Sequence, residues 1–329
     1  MGSTQEGGDF YTGAPVEEGD LWFRDPFIKQ IWEKLRTQHV LITAPRRTGK
    51  TSVMYHLLNR PQGGYLVTYQ NVQDFERPAQ LFQTVIENFH EKHPQLLKQL
   101  ASRGYQLLGK AWSSVMERLD NVEAGGVKIA LREIDPNWDA NWKGHAEDLL
   151  NQIRSIGKPV LLIVDELPDM ILNLKPAHSA EAREFLAWFR TQRQDPPPGK
   201  DCIRWLCGGS INLAGTLDDL GRVDLINDLS VEELPVFTSE QVEEFVVTML
   251  TSRGITLDEK VPQRMVERLG RPIPFFLQLA TQNLHRHWKK DNHKLFANDV
   301  DFVFNELIGR ASAREQLQHY YSRIKTYYT

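Results

Sequence analysis

Gly49-Lys50-Thr51 is a run of residue types that can do chemistry on phosphate. It lies in "HVLITAPRRTGKTSV", His39 to Val53. A glycine lets backbone N–H groups come close to an anion, and a helix starting there points its positive end at the same spot. In such a loop Lys50 reaches the outer phosphates and the Thr51 hydroxyl holds Mg²⁺. The G-K-[ST] triplet alone would arise about 0.2 times by chance in a chain of this length, so its surroundings must decide. The full pattern G-x-x-x-x-G-K-[ST] has Ala44 at its first position. Alanine fits there if the backbone keeps φ negative. Thr48 and Ser52 complete the loop. Arg46 and Arg47 add charge inside it, either toward phosphate, toward a partner surface, or simply toward solvent.

A second group sits in "VLLIVDE", Val160 to Glu166. An apolar run of this kind suits a central parallel strand covered on both faces. It would deliver Asp165 to the sheet edge to hold Mg²⁺, with Glu166 placed to orient or deprotonate an attacking water. Standing alone, Asp165-Glu166 would read as a polar strand end. Beside a strand–loop–helix carrying Gly49-Lys50-Thr51, the joint reading of a nucleotide site is preferred. Ser210, just after the next strand, stands where a polar group sensing the γ-phosphate would be, or in a plain Gly-Gly-Ser turn.

The elements that must position these groups follow from periodicity. Trp22 to Leu35 reads as a helix, His39 to Thr43 as a strand, and Thr51 to Leu58 as the helix after the loop. Gly64 to Tyr69 is a second strand. Pro78 to Leu108 is helical and broken near Pro94. Val122 to Ile134 alternates like a hairpin, and a helix follows Trp142. Residues 94–142 are expected to be an insertion between core elements. A helix is expected over Ala180 to Arg193, strands over Ile203 to Cys207 and Val231 to Leu234, and helices over Ser239–Thr251, Pro262–Leu269, Pro274–His287, Asn298–Leu307 and Ala311–Tyr321. Alternating strands and helices imply a parallel sheet flanked by helices, and the change to helices near Pro235 marks a boundary. The expected division is a flexible segment over 1–19, a nucleotide-binding domain over 20–235 and a helical domain over 236–329.

The chain has 329 residues, 41% hydrophobic and 25% charged, with net charge −4. A mildly acidic balance does not suggest a nucleic-acid coat, although a local basic face is compatible with it. No apolar run approaches the roughly 18–20 residues of a membrane span. Met1 to Asp20 has no basic start and no apolar core, so no signal peptide is read there. The two cysteines, Cys202 and Cys207, lack a zinc spacing and read as small buried hydrophobes on opposite faces of a strand, favouring a reducing, cytoplasmic setting. His285, His287 and His293 read as a solvated helix end, because no carboxylate shares a ligand spacing with them.

Four stretches together resemble a known family: "HVLITAPRRTGKTSV", "VLLIVDELPDMI", "CGGSINLAGTLDD" and "LGRPIPFFLQLA". They are similar to the archaeal-type ATPases of the STAND branch of AAA+-related P-loop NTPases, over about Asp20 to Tyr321. The resemblance implies a sheet in the order 5-1-4-3-2, ATP with Mg²⁺, and a helical lid. It implies that Arg24, in "DLWFRDP", lies near the adenine, although Phe23 replaces the family's glycine before that arginine. It implies that Pro274 packs on the base and that Arg271 reaches toward the γ-phosphate; Arg222 is offered as a finger acting in trans. Family members often carry a winged helix after the lid, and the stretch ending "SRIKTYYT" leaves no room for a complete one.

The reading that results is an ATP-binding, slowly hydrolysing P-loop ATPase acting as a conformational or assembly switch with a homo-oligomeric or protein partner. One rival is a DNA-acting AAA+ ATPase similar to origin-recognition or transposition loaders, suggested by Arg286, Lys289, Lys290 and Lys294. The other is a nucleotide-binding scaffold without turnover.

Overall fold

The apolar runs form strands where their length and β-branched content require, and they set the frame for everything else. The structure is a computed structural model describing residues 9–11, 21–95, 137–194, 202–209 and 226–309. The elements in chain order are α1 (Asp25–Leu35), β1 (Val40–Thr43), α2 (Lys50–Asn59), β2 (Leu66–Asn71), α3 (Pro78–Lys92), α4 (Trp142–Ser155), β3 (Val160–Asp165), α5 (Leu167–Gln194), β4 (Ile203–Gly209), β5 (Ser230–Glu233), α6 (Ser239–Thr251), α7 (Lys260–Leu269), α8 (Pro274–Asp291) and α9 (Ala297–Gly309). The expected hairpin over 122–134 and the expected helix over 311–321 lie outside the described residues, as do Ser210 and Arg222.

The five strands form one sheet in the order β2-β3-β4-β1-β5, which is the expected order read from the other edge. The pairs β2–β3, β3–β4 and β4–β1 are parallel. β3 is buried at every position, as a central strand covered on both faces must be. The register aligns Thr43 with Gly209 and Asn71 with Asp165, so the C-terminal ends of β1, β2, β3 and β4 share one edge. In an open parallel sheet this is the edge where ligands bind.

The chain divides into two units. One takes Gln30–Thr43 and Met54–Glu232, the sheet with α3 to α5; the other takes Met1–Lys29, Ala44–Val53 and Glu233–Thr329. In the sheet unit, Val160, Leu162, Val164, Ile203, Trp205 and Cys207 project from one face into a core with Phe82, Phe89, Trp142, Phe185 and Phe189. Trp138 and Trp142, at the end of the expected insertion, belong to this core: Trp142 stacks on Phe82 and meets Trp188 edge-on. In the other unit, Trp22, Phe237 and Phe245 pack with the apolar stripes of α6 to α9.

Several boundaries differ from expectation for identifiable reasons. α1 starts at Asp25 rather than Trp22, because Phe23 has φ +56 and cannot be helical. α3 stops at Lys92 because the residue before Pro94 is driven out of the helical region; His93 sits at φ −137, ψ 51. α5 starts thirteen residues before Ala180, directly after Glu166, and runs as one helix of 28 residues. Cys207 is buried in β4, but Cys202 precedes the strand and packs against the same core cluster. The strand alternation that would have put the two thiols on opposite faces therefore does not apply to Cys202.

Candidate functional site

The loop after β1 is organised by local bonds. Thr48 closes it on itself: its hydroxyl donates to the Pro45 carbonyl at 2.7 Å and its amide to the same oxygen at 3.3 Å. Arg47 takes a left-handed backbone at φ +69, and Gly49 follows at φ +96. A Cβ on Gly49 would meet nothing within 4 Å, so glycine is required by the backbone angle, not by crowding. Ala44 is buried and is not among the residues with positive φ, which is why alanine is tolerated there. Lys50 is the first residue of α2 and is buried, Thr51 is half-buried and Ser52 buried. The first turn of α2 carries no acidic residue of its own that would offset the positive helix end. These features fit a phosphate group: open space before a glycine, a helix N-terminus and a lysine beside it.

The same unit places the family-implied residues around the loop. Arg24 is buried. One guanidinium nitrogen donates to the Thr48 carbonyl at 2.9 Å and the other to the Pro235 carbonyl at 2.8 Å. Its carbon lies 4.8 Å from the centre of the Phe237 ring. Burial lowers its pKa to about 10, which still leaves it charged at neutral pH. Phe23, before it, holds the left-handed conformation for which glycine is the natural residue. Arg47 lies 4.2 Å above the Phe275 ring, next to Pro274, which opens α8 in the first turn. Arg271 is exposed. With Pro45, Glu233, Pro235 and Val236 it lines a half-open cavity of about 340 Å³. Phe275 lies in the stretch "LGRPIPFFLQLA" but was not singled out from the sequence, and no motif marks Pro235 or Val236.

At the end of β3, Asp165 is 1% exposed. Its Oδ2 accepts the Tyr69 hydroxyl at 3.1 Å and its Oδ1 accepts the Glu166 amide at 3.0 Å. Burial, then the charge of Asp165 and contact with Tyr55, drive the Tyr69 pKa far up, so this phenol stays a proton donor. Glu166 has φ +61, and its carbonyl accepts the amides of Asp169 and Met170, so it turns the chain from β3 into α5. On the neighbouring strand Gly209 is obligatory: a Cβ there would lie 2.7 Å from the Pro168 ring. Tyr69, bonded to the candidate residue Asp165, was not singled out from the sequence. Its only signal is a tyrosine near the end of the strand beside β3.

The histidines at the end of α8 also depart from expectation. A carboxylate does meet them: Asp299, from α9, lies 3.1 Å from His287 and 3.3 Å from His293. His285 instead faces the rings of Phe10 and Trp288.

No protein-family model matches the chain, and no curated protein matches it. Solved structures do match in fold. One is the Walker-type ATPase PABY2304 of Pyrococcus abyssi, 14% identical, covering 95% of this chain and 79% of its own, with a TM-score of 0.57. Another is the Aeropyrum pernix ORC2 protein in ADPNP–ADP complexes, 12% identical, covering 87% and 68%, with a TM-score of 0.51. The chain therefore has the fold of the P-loop ATPases. Among the described residues, no helix is long and apolar enough to cross a membrane.

Proposed function

We propose that the chain is an ATP-binding, slowly hydrolysing P-loop ATPase of the STAND type that acts in the cytoplasm as a nucleotide-dependent switch. The observation that carries this reading is the loop after β1, with Gly49 at φ +96 leading into Lys50 at the start of a helix that has no acidic first turn. The likeness of fold to a Walker-type ATPase supports it.

In this reading the backbone of Thr48, Gly49 and Lys50 wraps the phosphates, and the Lys50 ammonium balances their outer charge. Thr51 and Asp165 would hold Mg²⁺, which supplies charge neutralisation on the phosphate oxygens when bound. Glu166 orients and deprotonates the attacking water. Arg24, already fixed between two carbonyls, and Pro274 would flank the base, with the cavity at Pro45, Pro235 and Val236 accommodating it. A switch needs contacts that differ between ATP and ADP, and Lys50, Ser210 and Arg271 are the residues proposed to make them. The partner is a second copy of the chain or another protein, with Arg222 as the finger offered in trans.

One observation favours a DNA-acting reading as the second choice: Arg286, Lys289 and Lys290 are all exposed, at the i, i+3 and i+4 positions of α8. Lys294 is less available, being bonded to Asp258 at 3.2 Å.

The test measures Mg-ATP binding, turnover and mass in solution on the full chain. Lys50→Ala should weaken Mg-ATP binding roughly tenfold or more. Glu166→Gln should retain binding, lose turnover and accumulate a larger species. Absence of Mg-ATP affinity in the wild type would sink the proposal. Steeply salt-dependent DNA binding, lost when Arg286, Lys289 and Lys290 are neutralised, would move the reading to the second choice.

A further inference from the structure

We propose that His287, His293 and Asp299 form a binding site for one transition-metal dication, best matched by Zn²⁺. Each residue offers one ligand atom, and no two of these atoms are more than 4.8 Å apart. His287 comes from the last turns of α8, His293 from the loop after it, and Asp299 from the first turn of α9. The two imidazoles meet nearly at right angles, 87°, with ring centres 5.9 Å apart. Each presents Nε2 to a different oxygen of the same carboxylate, at 3.1 and 3.3 Å.

The backbone fixes this convergence. Asn292 caps α8 in the left-handed conformation, φ 50 and ψ 38, which asparagine tolerates well, and so turns the chain back on itself. Asp258 holds Lys294 at 3.2 Å, and the Phe296 amide donates to Asp299 at 2.8 Å. His287 also lies on the Phe302 ring, with ring centres 4.8 Å apart. All three ligand side chains are half-buried, at 16%, 34% and 17% exposure for His287, His293 and Asp299. They are sheltered enough to be held and open enough to admit an ion.

The chemistry of the donors selects the ion. Two imidazole nitrogens disfavour Mg²⁺ and Ca²⁺, which want oxygen ligands. Two nitrogens with one carboxylate suit Zn²⁺, leaving the fourth tetrahedral position to water. Donor atoms around zinc stand roughly 3.3 Å apart. Each histidine-to-aspartate separation falls near that spacing, one to each oxygen of the carboxylate, and the ligand atoms all lie within 4.8 Å of one another. Such an ion would clamp the end of α8 to the start of α9 across the loop 292–296. The site is independent of the nucleotide reading.

Zn²⁺ is titrated into the full chain by calorimetry with Mg²⁺ in excess, while the melting temperature is followed. The expected result is one ion bound per chain and a rise in Tm. His287→Gln, His293→Gln and Asp299→Asn should each weaken binding at least about tenfold. Glutamine can still hydrogen-bond to Asp299 but is a poor zinc ligand, so a purely structural role predicts an unchanged Tm response. His285→Gln should bind like wild type. Absence of stoichiometric binding, or binding left intact by both histidine variants, overturns the proposal. Where a variant does not fold, Co²⁺ on the wild type decides: visible bands displaced by Zn²⁺ support the site, and their absence refutes it.

Discussion

The two edges of the sheet are built from similar residues to opposite effect. At the N-terminal edge the polar groups bond one another. Arg193 forms a two-pronged pair with Asp228, at 2.7 and 2.8 Å, and lies on the Phe189 ring. His39 accepts the Trp205 amide at Nδ1, and its Nε2 lies 3.2 Å from the Arg193 carbonyl. Arg204 and Tyr65 both donate to the Leu35 carbonyl at the end of α1, capping a helix whose last oxygens would otherwise lack a partner. At the C-terminal edge, Glu166 sits in a left-handed conformation that costs a non-glycine residue about 1–2 kcal/mol. There the buried carboxylate of Asp165 accepts a phenol and a backbone amide. One edge spends its polar groups on stability. The other joins a strained backbone at Glu166 to a buried carboxylate at Asp165, and such strain beside a buried ionisable group is the usual mark of a functional end.

The sharpest way to break this contrast is at the ion pair. The Arg193 side chain is fully buried, and that of Asp228 is partly buried at 13% exposure. Asp228→Ala would leave the guanidinium uncompensated and should cost about 3–5 kcal/mol in urea unfolding. Mg-ATP affinity of the folded protein should not change. A loss of affinity without loss of stability would show that this edge is not merely structural.

Acid sharpens the contrast more gently. Burial, with Arg204 and Arg193 nearby, lowers the pKa of His39 from 6.5 to about 4, although its bond to the Arg193 carbonyl pulls the other way. The unfolded imidazole therefore takes up a proton first as pH falls. The stability that His39 contributes is complete above about pH 6.5 and is lost as pH falls from there to about 4. The full loss is roughly 3 kcal/mol. Asp228, which Arg193 holds below its usual range against the effect of burial, gives up its share only at lower pH. The urea midpoint followed from pH 7 to pH 4 should show the His39 loss, and His39→Gln, which can make the same two hydrogen bonds without titrating, should flatten it.

What the sequence made legible at these edges was what local pattern determines. "VLLIV" had to be a central strand, and Gly49-Lys50-Thr51 had to open a helix. The glycine-like backbone of Phe23 was foreshadowed by the glycine of the resembling family. What was not legible came from pairings across long separations. Tyr69 meets Asp165 because β2 and β3 align in register. Asp299 reaches His287 because Asn292 reverses the chain. α5 was read short because Pro168 lies in its first turn and Pro176 farther on, and proline reads as a break unless its position in the helix is known.

The smallest expected effect has the most telling sign. Glu166→Gly removes a Cβ from a backbone at φ +61. Relief of the left-handed conformation, about 1–2 kcal/mol, is partly offset by the extra freedom glycine has in the unfolded chain, about 0.5–1 kcal/mol. A net gain of roughly 0.5 kcal/mol in urea unfolding is expected, together with loss of ATP turnover and retention of Mg-ATP binding. At the N-terminal edge every comparable truncation should lose stability. A residue whose removal stabilises the fold while ending the chemistry is held in place by function, because packing alone would have selected glycine there. If Glu166→Gly instead destabilises the chain and leaves turnover intact, the strain serves the junction between β3 and α5, and the catalytic base must be sought elsewhere.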